Sequence, residues 1–261
     1  MSVNRTYTRE LKENLNYTAT WLPNLRLSLG DVGVLHKHSF TYRTSLAHLG
    51  IPFGESGPGA SAAYSHVSSG SVQRDIKLAG KAPVAGSVLA DADAGITFSF
   101  SSTHAVVFLA SDCTIRVIAD QEPLRKAILE AYAAGGWEKD HVVVTELVMA
   151  GATTIIISEG SAGRYELRAK AGVMPTLEAM NVDGNFSLVH DSQIGFNCLA
   201  TAGMTPLFRC LGVRTGWFRS DVKARAAVVR GRSGAAGSAR ATSGTTVDEV
   251  EYDDYTTAEE S

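Results

Sequence analysis

DQEPLRKAILEAYAAGGWEKDHVVVTELVMAGATTIIISEGSAGRYELRAK, residues 120–170, is the stretch that decides the fold. It opens with helix signals: Asp120 at the cap, Pro123 in the first turn, Leu124, Ile128 and Ala131 on one face, and Gly135-Gly136 as the stop. Three segments rich in β-branched residues come next, HVVVTELVMA, TTIIIS and RYELRAK, separated by Gly-containing turns. The last alternates strictly, with Tyr165, Leu167 and Ala169 on one face and Arg164, Glu166, Arg168 and Lys170 on the other. The pattern predicts a helix feeding a long amphipathic antiparallel hairpin.

A chain of 261 residues suffices for one core, or one core with a flexible tail. A hydrophobic content of 44% and a charged content of 20% are those of an ordinary globular protein. The net charge of −3 is unevenly spread: residues 231–261 hold two basic and seven acidic side chains, which leaves residues 1–230 at +2. The expected division is an α+β domain over residues 1–230, then a flexible Gly/Ala/Ser/Thr linker and acidic tail over 231–261. A body of +2 lacks the concentrated basic face of a nucleic-acid binder. Cys113, Cys198 and Cys210 are too few and too scattered for a disulfide framework or a metal cluster, which fits a reducing cytoplasm. The first residues lack the apolar stretch of a secretory signal, and no apolar run reaches the ~20 residues of a membrane-spanning helix.

Upstream, TRELKENLNY (8–17) reads as a short polar helix docked by Leu11 and Leu15. Arg5, Arg9 and Lys12 around it are either a solvated face or a basic foot for an acidic membrane, each cation contributing about 1 kcal/mol. Leu25, Leu27 and Leu29 alternate with polar residues and read as a strand ending at Gly30-Asp31, with Val32, Val34 and Phe40 in its partner. His36 and His38 lack a third ligand at metal spacing and are expected to be surface histidines. GESGPGASAA (54–63) fits neither a phosphate loop nor a nucleophile elbow and reads as a linker. Ile96, Phe98 and Phe100 alternate with Thr97, Ser99 and Ser101, and Val106 and Phe108 read as a return strand. The same alternation suits a half-buried hairpin and a membrane β-strand. CTIRVI (113–118) reads as a further short strand, FSLVH and IGFNCLA as later ones, and DVKARAAVV as a final helical turn. Val247, Val250, Tyr252 and Tyr255 give the acidic tail the means to dock as a short segment.

No catalytic constellation is visible, so the chain is expected not to be an enzyme and to need no cofactor or metal. Glu146 and Glu166 are possible paired carboxylates, but ion pairs across strands are the simpler role for acids on strands.

At Val143-Val144-Thr145-Glu146, placed after a helix and Gly-Gly-Trp, the chain resembles the gasdermin pore-forming domain, in which a "VVTE" strand opens the second membrane-inserting hairpin. GSVQRDIKLAGKAPVAGSVLADA resembles that family's first hairpin region, with residues 96–108 as its return strand. The resemblance spans roughly residues 5–215 and implies a twisted, mostly antiparallel sheet with amphipathic hairpins and a few helices. Its length matches the compact microbial form, in which a short C-terminal segment restrains the pore-forming body. The resemblance implies lipid binding by Arg5, Arg9 and Lys12. It implies membrane insertion of Ile96, Phe98, Phe100, Val106, Phe108, Val142, Val144, Val148, Ile155, Ile157, Tyr165 and Leu167. An activating protease would cut in the region of Arg230, Arg232 and Arg240. The implied partners are acidic membrane lipids, further copies of the chain and that protease. The implied location is the cytoplasm before activation and the plasma (inner) membrane after it, in cell death or antiphage defence. The chain departs from bacterial members in having Cys113 as its first cysteine, so N-terminal acylation is not expected. Two readings compete: a non-enzymatic, strand-rich binding or assembly protein, and a hydrolase without a recognisable motif.

Overall fold

A computed structural model describes residues 2–23, 25–83, 85–217, 243–250 and 252–255. Helix α1 spans Val3–Leu15 and is followed by strands β1 (Thr18–Ala19), β2 (Asp31–His36), β3 (Ser39–Ser45), β4 (Glu55–Ser56), β5 (Ala62–Val67), β6 (Val72–Lys77), β7 (Gly95–Phe100) and β8 (Val106–Ile118). Helix α2 (Gln121–Ala133) leads into β9 (His141–Ala150), β10 (Ala152–Ser158) and β11 (Arg164–Ala169). The short α3 (Leu177–Met180) precedes β12 (Phe186–Ser192), β13 (Ile194–Thr201), β14 (Met204–Trp217) and β15 (Ser243–Val250), and a 3-10 turn covers Tyr252–Tyr255. The fold is α+β, with antiparallel pairing throughout.

Helix α2 forms as its sequence dictates. The Asp120 side chain accepts from Glu122 N, a cap of about 1 kcal/mol, and Leu124 and Ile128 are buried on one face. The strands after α2 do not form the expected hairpin. Strands β9, β10 and β11 do not pair with one another; they run end to end as one long segment. A single residue, Gly151, separates β9 from β10, fewer than the two that a tight hairpin turn needs, so the chain kinks there without reversing. Strands β7 and β8 likewise do not pair; they follow one another in two different sheets, a four-stranded one (β12-β11-β7-β6) and an eleven-stranded one, so Ile96–Phe100 and Val106–Phe108 are not the two arms of a hairpin.

The true partner of the 141–169 run is the 95–118 run. β11 lies on β7 (Tyr165↔Phe98), β10 on β8 (Ile155↔Phe108) and β9 on the far end of β8 (Val148↔Ile115). In all three segments the residue numbers of each pair add to 263, so one register persists through two breaks, at 101–104 with 159–162 and at 112–113 with 150–151. The 62–77 run (β5, β6) borders this pair on one side and the 186–217 run (β12, β13, β14) on the other. Four long strands thus make two hairpins lying side by side, one closed at 78–94 and the other at 170–185.

Each break turns the strand over. Ile96, Phe98 and Phe100 share a core cluster with Val107 and Leu109, whereas Val106, Phe108 and Ala110 share another with Cys113. His104 (φ +65°) and Asp112 (φ +50°) supply the left-handed backbone at the two breaks of the 95–118 run. At the 101–104 break the runs thus bend from the four-stranded sheet into the eleven-stranded one, and the cluster containing Ile96, Phe98, Tyr165 and Leu167 packs against Val107, Leu109 and Ile156 inside that bend. α1 packs Tyr7 and Leu11, both fully buried, on the opposite side of the large sheet; Leu15, the expected second anchor, is only partly buried.

The expected strand at Leu25–Leu29 is absent. Leu27 N donates to Thr205 Oγ1 (2.8 Å), and Thr205 Oγ1 donates to Leu25 O (3.1 Å), so one threonine side chain stands in for a neighbouring strand. The expected linker at 54–63 is partly tied down: β4 pairs with the end of β8, and Arg116 donates to Glu55.

Candidate functional site

The C-terminal strand is built into the core. β15 pairs with β14 over eight residues, from Cys210↔Val250 to Trp217↔Ser243. Val247, Val250 and Tyr252 are buried in the same cluster as α2's Leu124 and β9's Val143. The Tyr252 hydroxyl donates to Ala19 O (3.0 Å), and its ring lies 5.4 Å from His38 and 6.5 Å from Phe208. Burial pushes the Tyr252 hydroxyl well above the usual tyrosine pKa.

Acidic side chains of this segment meet cations from three elements. Glu249 lies 3.8 Å from Lys12 of α1 and 3.1 Å from Arg209 of β14. Asp248 lies 3.7 Å from Arg125 of α2, which also donates to Val247 O, and Asp254 meets Arg214 at 2.5 Å. Half-exposed pairs of this kind contribute about 0–1 kcal/mol each. Burial of Val247, Val250 and Tyr252 contributes about 1.5–3 kcal/mol each, so apolar anchoring holds the segment and the charges decide what it hides.

Arg209 also joins the segment to the strand that carries Glu146. Its Nε is 3.7 Å from Glu146 Oε1, its guanidinium sits 4.6 Å above the Tyr17 ring, and the Tyr17 hydroxyl donates to Glu146 Oε1 at 2.5 Å. Burial first, and this hydrogen bond second, raise the Tyr17 pKa. Glu166, fully buried, takes part in a separate site: it pairs with Arg164 and accepts from Ser87 Oγ (3.1 Å) and Val88 N (2.9 Å), clamping the 78–94 tip onto β11. The two glutamates are therefore not a catalytic pair.

One further polar cluster has the residue types of a catalytic triad and the wrong order. Glu10 Oε2 accepts from both His66 Nε2 (2.9 Å) and Ser68 Oγ (2.6 Å), and Ser68 Oγ accepts from Val106 N (2.7 Å). A nucleophile needs the histidine between serine and acid, so this cluster fastens α1 to the bend of the sheet instead. His38 is buried against Thr8 (2.9 Å) rather than on the surface. Among the described residues no group of three His, Cys, Asp or Glu side chains is placed to hold a metal.

Of the residues expected at the membrane, Arg5, Arg9 and Lys12 all lie on α1, where Arg9 faces Glu13 (3.8 Å) and Lys12 faces Glu249. The twelve residues expected to insert are all buried and fall into three clusters. Val142 and Val144 are in the first, Val106, Phe108, Val148, Ile155 and Ile157 under α1, and Ile96, Phe98, Phe100, Tyr165 and Leu167 inside the bend. Arg230, Arg232, Arg240 and the helical turn expected at 221–230 lie outside the described residues. The sequence reading missed the hairpin tips. Leu78, Val88, Met174 and Val182 are exposed there, and Ile76 and Leu188 on the adjoining strands β6 and β12, together six of the nine exposed large apolar side chains among the described residues. Of these, Leu78 and Met174 line a groove of about 770 Å³ between the tips. Isolated apolar residues in the Gly- and Ala-rich stretches 78–94 and 170–185 were the available signal.

No protein-family model and no curated protein matches the chain by sequence. Among solved structures, the gasdermin A3 membrane pore determined by cryo-electron microscopy aligns over 84% of this chain and 92% of its own, with 14% identity and a TM-score of 0.35. At that level of superposition the α+β, mostly antiparallel architecture stands on the chain's own strand pairing.

Proposed function

We propose that the chain is an autoinhibited pore-forming protein of gasdermin type, held inactive by its C-terminal segment. The observation that carries this reading is the placement of β15. With the 3-10 turn that follows, it is anchored by the buried Val247, Val250 and Tyr252, and the carboxylates of strand and turn occupy Lys12, Arg125, Arg209 and Arg214. Cutting near Arg240 and losing the segment removes seven carboxylates and moves the net charge from −3 to +4. Lys12, Arg125, Arg209 and Arg214 then lose these carboxylates, and acidic lipid headgroups can take their place.

The strand layout supports the rest of the reading. The outer edges of the 62–77 and 186–201 runs have no strand beyond them among the described residues, and the two runs are antiparallel. Edge-to-edge pairing between copies would extend the sheet around a ring. A closed ring satisfies every backbone group, the condition for strands in a bilayer. The exposed apolar tips are the parts that would meet the membrane first. In this reading the protein rests in the cytoplasm, a protease cuts between residues 217 and 243, and the inner membrane is the target in cell death or antiphage defence.

The test is dye release from vesicles containing acidic lipid. A chain carrying a site-specific protease sequence between residues 232 and 240 is expected to be silent when intact and to release dye when cut. Intact and cut chains that both leave vesicles and host cells unharmed would refute the proposal and favour a binding or assembly role.

A further inference from the structure

The groove between the hairpin tips has a floor, a lining and a charge of its own, and the pore-forming reading uses none of them. We propose that it is a binding site for a free long-chain monocarboxylate, with the alkyl chain along the groove and the carboxylate at Arg168 and Lys170. The inference goes beyond the pore-forming reading, because such binding requires neither a cut nor a membrane.

Size and lining point to an alkyl chain. The volume of about 770 Å³ falls within the range of small-molecule sites, roughly 300–1,000 Å³. Leu78 and Ala94 supply one wall, Val173, Met174 and Pro175 the other, and Phe186 of β12 lies between the tips. Pro175, Phe186 and Ala169 are buried, and Phe186 and Ala169 belong to the core cluster inside the bend, against which Ala94 and Val173 pack. The groove therefore opens directly onto packed apolar side chains. Leu78 and Met174 stay exposed in it, apolar surface that an alkyl chain would take out of water. Backbone donors along the floor are already spent, Ala169 N on Ala94 O and Lys170 N on Asn185 O, each at 2.8 Å, so the floor suits methylenes rather than polar groups.

Charge selects the head group. Among the described lining residues Asp93 is the one carboxylate, against the two cations Arg168 and Lys170, which leaves the groove at +1. Arg168 Nε lies 3.0 Å from Asp93, and its remaining guanidinium donors point to no other acceptor among the described residues. One carboxylate neutralises the groove, whereas an alkyl cation of the same length is repelled. Arg168 and Lys170 stand at alternate positions and are both exposed, so the head group stays hydrated between them while the chain is covered.

A bound chain also ties the tips together. Residues of both the 78–94 and the 170–185 segments form the walls, so an occupied groove stabilises by mass action the arrangement in which the two lie side by side. The groove shares no lining residue with the ion pairs of β15, so the ligand acts on the resting fold without touching the C-terminal segment.

The experiment titrates the intact full chain calorimetrically with decanoate and laurate below their micelle concentrations, and with dodecyltrimethylammonium as the cation of equal chain length. Laurate is expected to saturate at one per chain and to bind about fifteenfold more tightly than decanoate, since each buried methylene contributes about fourfold. The ammonium is expected not to bind in the same range. Two variants change exposed side chains, so folding is not at stake, and their melting curves check this. Met174→Asp is expected to abolish binding, and Lys170→Glu to weaken laurate about tenfold while keeping the ratio of laurate to decanoate. Equal affinity for laurate and the ammonium, uptake that does not saturate at one, or binding that neither variant alters overturns the site. So does the absence of laurate binding, and a Met174-dependent attachment to phosphatidylcholine vesicles or self-association in that case gives the groove to a bilayer or a second copy. No outcome is read from leakage, so the site and the pore-forming reading fail separately.

Discussion

Truncating Tyr252 to alanine isolates what holds the C-terminal segment in place. The ring is buried, packs against His38 and Phe208, and its hydroxyl donates to Ala19 O at 3.0 Å. Aromatic-to-alanine changes in a core cost about 3–5 kcal/mol. Tyr252 lies in the 3-10 turn just past β15, where the surroundings relax more readily, so the lower end, about 3 kcal/mol, is the expected cost. At about 1.4 kcal/mol per factor of ten, undocking of β15 becomes roughly a hundredfold more frequent. Tyr252→Phe keeps the ring, loses one hydrogen bond of about 1 kcal/mol, and is expected to raise undocking about fivefold. Glu249→Gln weakens the contacts to Lys12 and Arg209, both partly exposed, by about 1 kcal/mol or less in total.

Amide hydrogen exchange resolved by peptide is the assay. Exchange in residues 243–250 reports opening of β15, and exchange in β9 reports opening of the whole fold. The expected order of acceleration in β15 is Tyr252→Ala first, then Tyr252→Phe, with Glu249→Gln at or below the latter, while β9 stays protected. If Glu249→Gln loosened β15 more than Tyr252→Ala, ion pairs rather than burial would hold the segment and the reasoning would be wrong. Equal acceleration of β15 and β9 would show that the segment opens only with the whole fold, and a separable restraint would be excluded.

Burial alone would raise the Glu10 carboxyl, but hydrogen bonds from His66 and Ser68 outweigh it and hold the pKa below the usual carboxylate value. A depressed pKa contributes stability that is present above the unfolded value of about 4.3 and lost as pH falls through the folded one. The difference in urea midpoint between the natural chain and Glu10→Gln is therefore expected to shrink on acidification below about pH 4; a difference constant with pH would refute this. Glu166→Ala leaves Arg164 without its buried partner and frees the 85–88 loop, at about 3–5 kcal/mol, and is expected to lower Tm by roughly 10 °C. An unchanged Tm would place the ion pair outside the cooperative core. Gly95→Ala would put a Cβ 2.3 Å from Leu167 O, within the central ladder, and is expected to impair folding, read as loss of soluble expression or of cooperative melting.

Local structure was legible in the sequence because local chemistry sets it. Asp120 caps α2, Leu124 and Ile128 are its buried face, and the three β-branched segments are strands. Pairing was not legible, because it depends on whether an interruption reverses the chain or merely kinks it. Gly151 looks like a turn in sequence and acts as a kink, since one residue cannot reverse two strands. The faces of the strands were misread for the same reason: alternation extrapolated from Phe100 to Val106 assumes an unbroken strand, and the residues between them include His104 in a left-handed conformation. The carboxylates of the tail were visible as a charge run, but the cations they meet come from α1, α2 and β14, which no sequence spacing brings together.

If β15 is the restraint proposed above, its position also limits how it can be removed. β15 covers the edge of β14 over residues 210–217, next to the two residues covered by β1. Departure of β15 leaves eight residues of β14 without a partner on that side, together with the apolar positions vacated by Val247, Val250 and Tyr252. An uncovered edge beside an apolar strip pairs readily with another chain. Cutting the connection between 217 and 243 does not itself uncover that edge, since the anchors of β15 lie beyond the cut and remain docked. Release is thus a second step, governed by the same burial that Tyr252→Ala weakens. A membrane surface carrying anions can lower the barrier to that step by competing for Lys12, Arg125, Arg209 and Arg214. On the proposed reading, the cut chain is therefore expected to keep β15 docked until it meets such a surface, so that the edge is uncovered beside other bound copies rather than in free solution.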